Sequence, residues 1–466
     1  MPPVVERGGT FTLVDRWMST ASGEAAFAFD LDGEPFEERV GLPPATADVA
    51  PAALDLLLDV CHAAMGTSYF KLSAPRRLVF ERPVAGHVAA LARSLYDDGL
   101  REMAYRNGLP VPLETELVWK EAPLSAPPAS RPGGRSGTGR TGRHSSPPGH
   151  PPLAGQGLLA PIGGGKDSAA VLALLPGATG LSISPTPAHE RLARAAGVEL
   201  LTAGRELDSR LPALSARPGA LNGHVPITAV NSAVSAIVAA TQGLSGVAMG
   251  NERSASEPTR TLGHTDVNHQ YSKSLAFEAE LGAVLSLGGT SYFSVLRQLS
   301  ELAIAGIVAS SPVLRRSFLS CNRAFRLARP ADEEQRWCLQ CPKCHFTYLC
   351  FAVYLDPGEA EDIFGGNPLA DLGHARAFAD LWDDSAKPFD CVGERAESAV
   401  AMAWLGEAGG WAEMPVVKEL APRALEVVLR AGTSMEDQLA VGGPHRAPPA
   451  LATLFADAAR ASRPRR

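Results

Sequence analysis

Short apolar runs and alanine-rich helical patterns alternate between residues 158 and 250. The apolar runs include LLAPI at 158–162, LSIS at 181–184 and GVAMG at 246–250, and helical patterns such as SAAVLALL and ERLARAAG separate them. This alternation is typical of a parallel sheet covered by helices. We therefore predict an α/β domain over residues 158–320.

The patterns on either side of this stretch differ from it. Near the N-terminus, AFAFDLDGEPFEERV has two alternating apolar runs around Asp32-Gly33, which predicts a hairpin, and AALDLLLDVCHAAMG predicts a helix. After Cys321, the segments HFTYLCFAVYL, HARAFADLW and APRALEVVLRAG predict helices. We expect an α+β domain over residues 1–121 and a helical region over residues 321–466.

Composition adds a linker to this organisation. The chain has 45 glycines and 38 prolines, about 18% of its 466 residues, against a usual total of about 12%. Residues 122–157 hold 16 of them, together with four arginines and no acidic residue. Such a segment is typical of a flexible linker.

The charge, the N-terminus and the cysteines narrow the class of protein. A formal net charge of −7 argues against a nucleic-acid partner and against an anionic membrane surface. The N-terminus MPPVVERGGTFTLVDRW lacks the pattern of an export signal, and the longest stretch without acidic or basic residues, 218–251, is broken by polar residues and Pro226. Seven cysteines in such a chain do not indicate a disulfide scaffold. We expect a cytoplasmic protein with reduced thiols.

A glycine-rich loop follows the first apolar run of the α/β stretch. Its residues are Gly163, Gly164, Gly165, Lys166, Asp167 and Ser168. Three glycines let the backbone approach an anion closely, and the amides of the first helical turn attract phosphate. The spacing is not that of the Walker loop. It resembles the pyrophosphate loop Ser-Gly-Gly-x-Asp-Ser of the ATP pyrophosphatase superfamily, with Gly163 in place of the first serine. The alternative is a glycine-rich turn that binds no ligand.

Four cysteines have the spacing of a metal site. Cys338, Cys341 and Cys344 are each separated by two residues, and Cys321 lies upstream. Four thiolates form the closed tetrahedral site that is typical of structural zinc. An iron–sulfur cluster uses the same ligands and stays open as an alternative. We interpret Cys61, Cys350 and Cys391 as isolated thiols.

Three dense polar runs occur where strands or helices are predicted to end. The runs are LNGHVP at 221–226, GNERSASE at 250–257 and NHQYSKS at 268–274. Because open α/β sheets bind ligands at the carboxyl ends of their strands, we expect these runs to form a site. Each residue taken singly has a capping or solvated role as its alternative. The candidates for substrate binding are Asn222, Asn251, Arg253, Ser254, Glu257 and Asn268.

The order of these motifs resembles one family. IGGGKDS, LNGHVP, GNERSASE, NHQYSKS, SCNRAF, WCLQCPKCHF and FDCVGERAE occur as in the ATP-dependent UDP-N-acetylmuramoyl-L-alanyl-L-glutamate epimerases of peptidoglycan synthesis (MurL family). FAFDLDGEPFEE and GTSYFK in the N-terminal part are also similar to that family. The resemblance covers most of the chain outside the linker and the basic tail.

The resemblance implies a fold and a reaction. The fold would be that of a PP-loop ATP pyrophosphatase, with an N-terminal α+β domain and a metal-bearing helical C-terminal region. The substrate would be UDP-MurNAc-L-Ala-L-Glu, whose terminal L-Glu is adenylated by ATP and released as the D-Glu epimer with AMP and pyrophosphate. Adenylation removes the carboxylate charge and makes the neighbouring α-proton more acidic, so that a base and an acid can invert the centre.

The implied site residues follow the same motifs. Gly163 to Ser168 would bind pyrophosphate, with Asp167 placing Mg²⁺, and Lys273 and Arg253 would bind phosphate or carboxylate. The candidates for the two proton-transfer groups are Tyr271, His269, His224 and Glu252, which the sequence does not rank.

Two other functions remain open at this stage. The first is another pyrophosphatase of the superfamily that forms an amide or nitrile, since the cysteine cluster also resembles the zinc site of the deazapurine-forming enzymes. The second is a non-catalytic zinc- and nucleotide-binding interaction module, with the arginine-bearing linker as its partner contact.

Overall fold

The computed structural model describes residues 7–122, 157–262, 264–324, 336–383 and 386–464. The strands in these ranges are β1 (Thr10–Met18), β2 (Glu24–Leu31), β3 (Glu34–Gly41), β4 (Arg77–Phe80), β5 (Glu116–Val118), β6 (Leu158–Pro161), β7 (Thr179–Ile183), β8 (Leu200–Glu206), β9 (Gly246–Met249), β10 (Arg260–Leu262), β11 (Thr265–Val267) and β12 (Ser291–Ser294). Apart from Ala122 and Gly157, the predicted linker lies outside the described residues.

The α-helices in the same ranges are α1 (Pro51–Phe70), α2 (Gly86–Asp97), α3 (Arg101–Arg106), α4 (Lys166–Leu174), α5 (Pro187–Ala196), α6 (Leu211–Ser215), α7 (Ile227–Thr241), α8 (Leu275–Leu287), α9 (Glu301–Ala309), α10 (Pro342–Ala352), α11 (Pro357–Phe364), α12 (Ala375–Ala379), α13 (Arg395–Leu405), α14 (Pro415–Ala431), α15 (Met435–Gln438) and α16 (Pro449–Ala461). After Ser294, the described part of the chain contains helices and no strand. None of the described helices is both long enough and apolar enough to cross a membrane.

Ten of the strands form one mixed sheet. Their order is β12-β9-β6-β7-β8-β3-β2-β1-β4-β5. The five strands from β12 to β8 are mutually parallel, which confirms the predicted parallel arrangement with helices between strands. β8 pairs antiparallel with β3, where Arg39 lies opposite Glu206 and Gly41 opposite Gly204. The stretches predicted as separate domains thus share a sheet, and the predicted domain boundaries stay predictions.

The N-terminal hairpin has the predicted turn. Leu31 of β2 pairs with Glu34 of β3, and the two residues between them, Asp32 and Gly33, have φ angles of 53° and 87°. Positive φ at both central positions is the geometry of the tight hairpin turn for which Asp-Gly is a preferred sequence.

Helices cover both faces of the sheet. Leu159 of β6 and Val247 of β9 belong to a core that also contains residues of α1, α2 and α7. Their neighbours Ala160 and Ala248 face the opposite way, into a core that contains residues of α4, α9, α10 and the C-terminal helices. This alternation is the period of two that a strand imposes, and it explains why these strands are apolar on both sides.

Candidate functional site

The glycine loop connects β6 to α4 at the carboxyl edge of the parallel strands. Gly164 has a φ of 75°, and a Cβ atom there would lie 2.8 Å from Cδ2 of His189. The Gly163 amide donates a hydrogen bond to Ser168 Oγ at 2.9 Å. Both the backbone conformation and the close approach of His189 therefore require glycine at position 164.

Lys166 lies under this loop and is fully buried. Its amide donates to Ser320 Oγ at 2.9 Å, and its ammonium group donates to the carboxylates of Asp167 and Glu301. Burial lowers the pKa of Lys166, but the two carboxylates outweigh burial and hold the pKa well above its usual value. The sequence predicts Lys166 as a phosphate ligand. In the structure its ammonium group contacts two carboxylates, and its role as a phosphate ligand stays a prediction.

Asp167 is the loop side chain that combines negative charge with partial exposure. Its side chain is 23% exposed. Burial raises the pKa of Asp167, but the ammonium groups of Lys166, Lys343 and Lys273 lower it below its usual value. The carboxylate is therefore ionised at neutral pH. An ionised oxygen donor at the rim of a phosphate-type loop suits Mg²⁺.

Lys273 brings two further groups to the same place. Its Nζ lies 3.8 Å from Glu252 Oε1 and 3.8 Å from Cys391 Sγ. Burial lowers the pKa of Lys273, but Cys391, Glu252 and Asp167 outweigh it and raise the pKa above its usual value. The ammonium group is charged, and it connects the polar runs after β9 and β11 with the loop that contains Cys391.

Arg297 fixes the backbone around these groups. It is 3% exposed, its Nη1 donates to the carbonyl oxygen of Glu252 at 2.7 Å, and its Nη2 donates to the carbonyl oxygen of Lys273 at 2.5 Å. Nε is paired with Glu278 Oε2 at 3.1 Å. Because one guanidinium group holds both backbone segments, Glu252 and Lys273 keep a fixed relative position.

The two predicted histidines lie side by side. The ring centroids of His224 and His269 are 5.1 Å apart. The His224 amide donates to Glu102 Oε2 at 2.6 Å, and its Nδ1 lies 3.1 Å from Oε1 of the same carboxylate. His269 Nδ1 is 2.6 Å from Thr259 Oγ1. Burial, and then the neighbouring His224 and Lys273, lower the pKa of His269 to about 3. His269 is therefore neutral at pH 7.

This neutral histidine makes stability depend on pH. An unfolded histidine has a pKa of about 6.5, so between pH 6.5 and 3 the unfolded state binds more protons than the folded state at His269. The free energy of unfolding should fall as the pH drops through this window, by up to about 2 kcal/mol at pH 5 from this residue. His269→Gln should reduce that dependence in urea unfolding at pH 7 and pH 5. The control is His264→Gln, because His264 is exposed. If the free energy of unfolding changed with pH equally in His269→Gln and in the wild type, the low pKa assigned to His269 would be contradicted.

Tyr271 faces another part of the surface. Its hydroxyl lies 3.4 Å from Glu280 Oε1, and burial, then Glu280 and Asp98, raise its pKa above the usual value. It lines a cavity of about 420 Å³ together with Arg253, Asn268 and other residues. The hydrogen-bond partners of its hydroxyl therefore include Glu280 of α8 and Ser94 of α2.

The remaining polar candidates differ in their surroundings. Asn222 is exposed, and its Nδ2 donates to the carbonyl oxygen of Ser215 at 3.0 Å. Asn268 Nδ2 donates to the carbonyl oxygen of Ala255 at 2.8 Å. The side chains of both residues thus hold backbone segments of the site.

Four candidates lie in the run after β9. Asn251 is 3% exposed, and its carbonyl oxygen accepts from Ser294 Oγ at 2.5 Å. Ser254 is 4% exposed.

Arg253 Nε donates to Glu394 Oε1 at 3.3 Å. Glu257 accepts from Lys387 Nζ at 3.0 Å and from Arg395 Nη1 at 2.8 Å. This run is thus connected to the segment 387–395 by ion pairs.

The four predicted metal ligands converge. The Sγ atoms of Cys321, Cys338, Cys341 and Cys344 all lie within 4.8 Å of one another, and those of Cys338 and Cys344 are 3.8 Å apart. Four sulfurs at a Zn–S distance of about 2.3 Å are separated by about 3.8 Å in a tetrahedron. The cluster therefore has the dimensions of a four-coordinate metal site.

This cluster is connected to the glycine loop through the residues that precede Cys321. The Leu319 amide donates to the carbonyl oxygen of Gly164 at 2.8 Å, and Ser320 Oγ accepts from the Lys166 amide at 2.9 Å. Because the cysteine site fixes one end of this segment, it also supports the conformation of the loop.

Sequence reasoning missed Glu301, Glu397 and Cys391. The Glu301 amide donates to Glu397 Oε1 at 2.8 Å, and burial, then Glu394 and Glu301, raise the pKa of Glu397 to about 8. Glu301 is the first residue of the apolar helix ELAIAGIVA. Acidic residues are common in the first turn of a helix because they interact favourably with the helix dipole, so nothing marked Glu301 as a site residue. The motif FDCVGERAE contained a signal for Cys391 and Glu397, because it holds both residues.

Comparisons with known proteins agree over most of the chain. Residues 4–295 match the MurL N-terminal domain, and residues 317–434 match the MurL C-terminal domain. A protein of Micromonospora sp. named UDP-N-acetyl-alpha-D-muramoyl-L-alanyl-L-glutamate epimerase is 38% identical, with 97% of this chain and 99% of the relative covered. Relatives of the same name from Salinispora tropica and Xanthomonas oryzae pv. oryzae are 37% and 35% identical, with at least 95% of this chain and 96% of each relative covered. No solved structure gives a significant match. By both domain matches and this near full-length identity, the chain belongs to the MurL family.

Proposed function

We propose that this protein is an isomerase that converts the terminal L-Glu of UDP-MurNAc-L-Ala-L-Glu into D-Glu during the synthesis of peptidoglycan precursors. One observation carries the proposal: relatives with this activity in their names align with almost the whole chain at 35–38% identity. Both family domains match as well, so the similarity is not restricted to a nucleotide-binding part.

We propose ATP as the co-substrate, bound in the manner of a PP-loop ATP pyrophosphatase. The glycine loop leaves the carboxyl edge of the parallel strands at the start of α4, where a strand–loop–helix junction favours phosphate. Lys273 and Lys343 provide positive charge beside Asp167. Transfer of AMP to the glutamate α-carboxylate would release pyrophosphate and neutralise the group next to the α-carbon. The α-proton then becomes acidic enough for removal by a side chain. After reprotonation, water would cleave the acyl-adenylate, which releases AMP and restores the free carboxylate.

The chain's own residues fit two metal ions. Asp167, ionised and partly exposed, would hold Mg²⁺, which neutralises phosphate charge when bound. The four cysteines would hold a structural Zn²⁺, because four thiolates leave no open position for a substrate. Lys166 would then hold the Asp167 side chain in position, because its ammonium group contacts the carboxylates of both Asp167 and Glu301.

The groups proposed for proton transfer lie at different positions around the glycine loop. Glu252 lies beside Lys273, and His269 pairs with His224 at the edge of the same charged region. The ammonium group of Lys273 would stabilise the negative charge that develops when the α-proton leaves. Tyr271 lines the neighbouring cavity. The polar residues Asn222, Asn251, Arg253, Ser254, Glu257 and Asn268 are proposed to surround the substrate.

The test incubates the protein with ATP, Mg²⁺ and UDP-MurNAc-L-Ala-L-Glu in D₂O, followed by hydrolysis and chiral analysis. We expect D-Glu that carries deuterium at the α-carbon, with AMP and pyrophosphate formed only when all three components are present. AMP together with an amide product would indicate the deazapurine-type alternative. Binding of ATP without any turnover of the dipeptidyl nucleotide would indicate a non-catalytic module.

A further inference from the structure

We propose that Cys391 is one of the two proton-transfer groups of the epimerisation, a role that no motif or name assigns to it. The inference rests on the proposed function and specifies the chemistry of the same site. Its basis is the contact of Cys391 with Lys273, which places a thiol beside the ammonium group that also faces Glu252.

The first observation is the position of the thiol. Cys391 is half-buried, in a loop between α12 and α13, and its Sγ lies 3.8 Å from Lys273 Nζ. The ammonium group of Lys343 donates to the carbonyl oxygen of Cys391, which fixes the backbone of this loop. Cysteine is one of the side chains that can act as a general acid or base, and this one lies within contact distance of an ammonium group. Asp167 of the glycine loop interacts electrostatically with Lys273 and with Lys166.

The second observation is a buried carboxylate that receives no hydrogen bond and also lies beside Lys273. The side chain of Glu252 is 1% exposed, and neither of its oxygens accepts a hydrogen bond from another described residue. Leaving a buried carboxylate without hydrogen bonds is costly, so a group that approaches this position in the bound state would stabilise it. Arg297 and Lys273 hold the Glu252 backbone and side chain towards the site. Two acid–base groups thus converge on one ammonium group.

This pair supplies what an inversion at carbon needs. One group accepts the α-proton as the C–H bond breaks, and the electron pair of that bond moves into the activated acyl group. The other group donates its proton as a new C–H bond forms on the opposite face. Afterwards both groups return to their starting protonation states by proton exchange with water, so that no oxidant or reductant is consumed. Lys273, charged and adjacent to both, stabilises the intermediate anion.

The experiment compares Cys391→Ala and Cys391→Ser with the wild-type protein, using UDP-MurNAc-L-Ala-L-Glu, ATP and Mg²⁺ in D₂O. Pyrophosphate formation and D-Glu formation are measured separately. We expect D-Glu formation to fall at least about 100-fold in both variants, while pyrophosphate formation stays within about fivefold of the wild type, because general acid–base catalysis contributes roughly 10²–10⁴-fold. Serine is close to cysteine in size, but its hydroxyl is a much weaker acid than a thiol, so it neither donates a proton as readily nor forms an anionic base near neutral pH.

Cys61→Ala is the matched control, because Cys61 is buried in α1 and contacts Met65. It should retain both activities. D-Glu formation at the wild-type rate by Cys391→Ala would overturn the proposal. A parallel loss of pyrophosphate and D-Glu formation would also overturn it, since that pattern indicates a structural role. Absence of D-Glu formation by the wild-type protein itself would contradict the proposed function instead, so the two failures are distinguishable.

Discussion

Asp167→Asn is expected to abolish AMP formation and epimerisation together. The substitution preserves the shape of the side chain but removes the charge that Lys166, Lys343 and Lys273 stabilise in the folded protein. An amide is a weaker ligand for Mg²⁺ than a carboxylate. Of the two carboxylates that contact Lys166 in the wild type, the variant would keep that of Glu301. We expect kcat/KM to fall about 10³-fold or more, equivalent to about 4 kcal/mol of transition-state stabilisation.

The measurement is the rate of AMP and D-Glu formation in steady state, with thermal unfolding as the check on folding. Asp208→Asn is a matched control, because Asp208 forms a surface ion pair with Arg210 on the N-terminal side of α6. That control should retain activity. A well-folded Asp167→Asn protein with full activity would refute the assignment of the glycine loop to ATP.

Loss of the metal from the cysteine cluster is expected to have the second large effect. Structural zinc sites contribute on the order of 10 kcal/mol of binding free energy to the folded state. Cys344→Ser removes a fully buried thiol of the cluster at the start of α10. Because Leu319 and Ser320 connect the cluster to Gly164 and Lys166, we expect ATP binding to be lost along with thermal stability.

The measurements are metal content by elemental analysis, the melting temperature, and ATP binding by calorimetry. We expect one equivalent of zinc in the wild-type protein and none in Cys344→Ser. Cys350→Ala is the matched control, since Cys350 is buried in the same helix but is not part of the cluster. Visible absorbance that disappears with Cys344→Ser would identify an iron–sulfur cluster. A Cys344→Ser protein with unchanged stability and metal content would contradict the proposed site.

The local elements were predictable because their signals are local. Asp32-Gly33 requires positive φ and marks the hairpin, and the runs around β6, β7 and β9 have the length and flanks of buried strands. The cysteine spacing likewise predicted a cluster whose four sulfurs do converge. In each case, the determining residues are neighbours in sequence or share a regular period.

The contacts that shape the site are not local, and the sequence did not reveal them. Glu301 is 135 residues from Lys166, and Cys391 is 118 residues from Lys273. Nothing in the pattern around Lys166 indicates that its ammonium group contacts two carboxylates. Only the packing of α9 against α4 places Glu301 under the loop. Cys391 looked isolated because its partners come from other parts of the chain.

Sequence patterns did not predict the pairing of β3 with β8 either. This pairing determines whether parts of the chain can be exchanged between relatives. If the chain were divided between the two halves of the sheet, β3 and β8 would each become an edge strand with unpaired amide and carbonyl groups. Arg205 of β8 would also lose the buried carboxylate of Glu38, to which its Nε donates at 2.5 Å. Either fragment would then tend to self-associate through its exposed edge. The half of the sheet from β12 to β8 is therefore not an independently exchangeable unit, and a swap between relatives has to include β1 to β3.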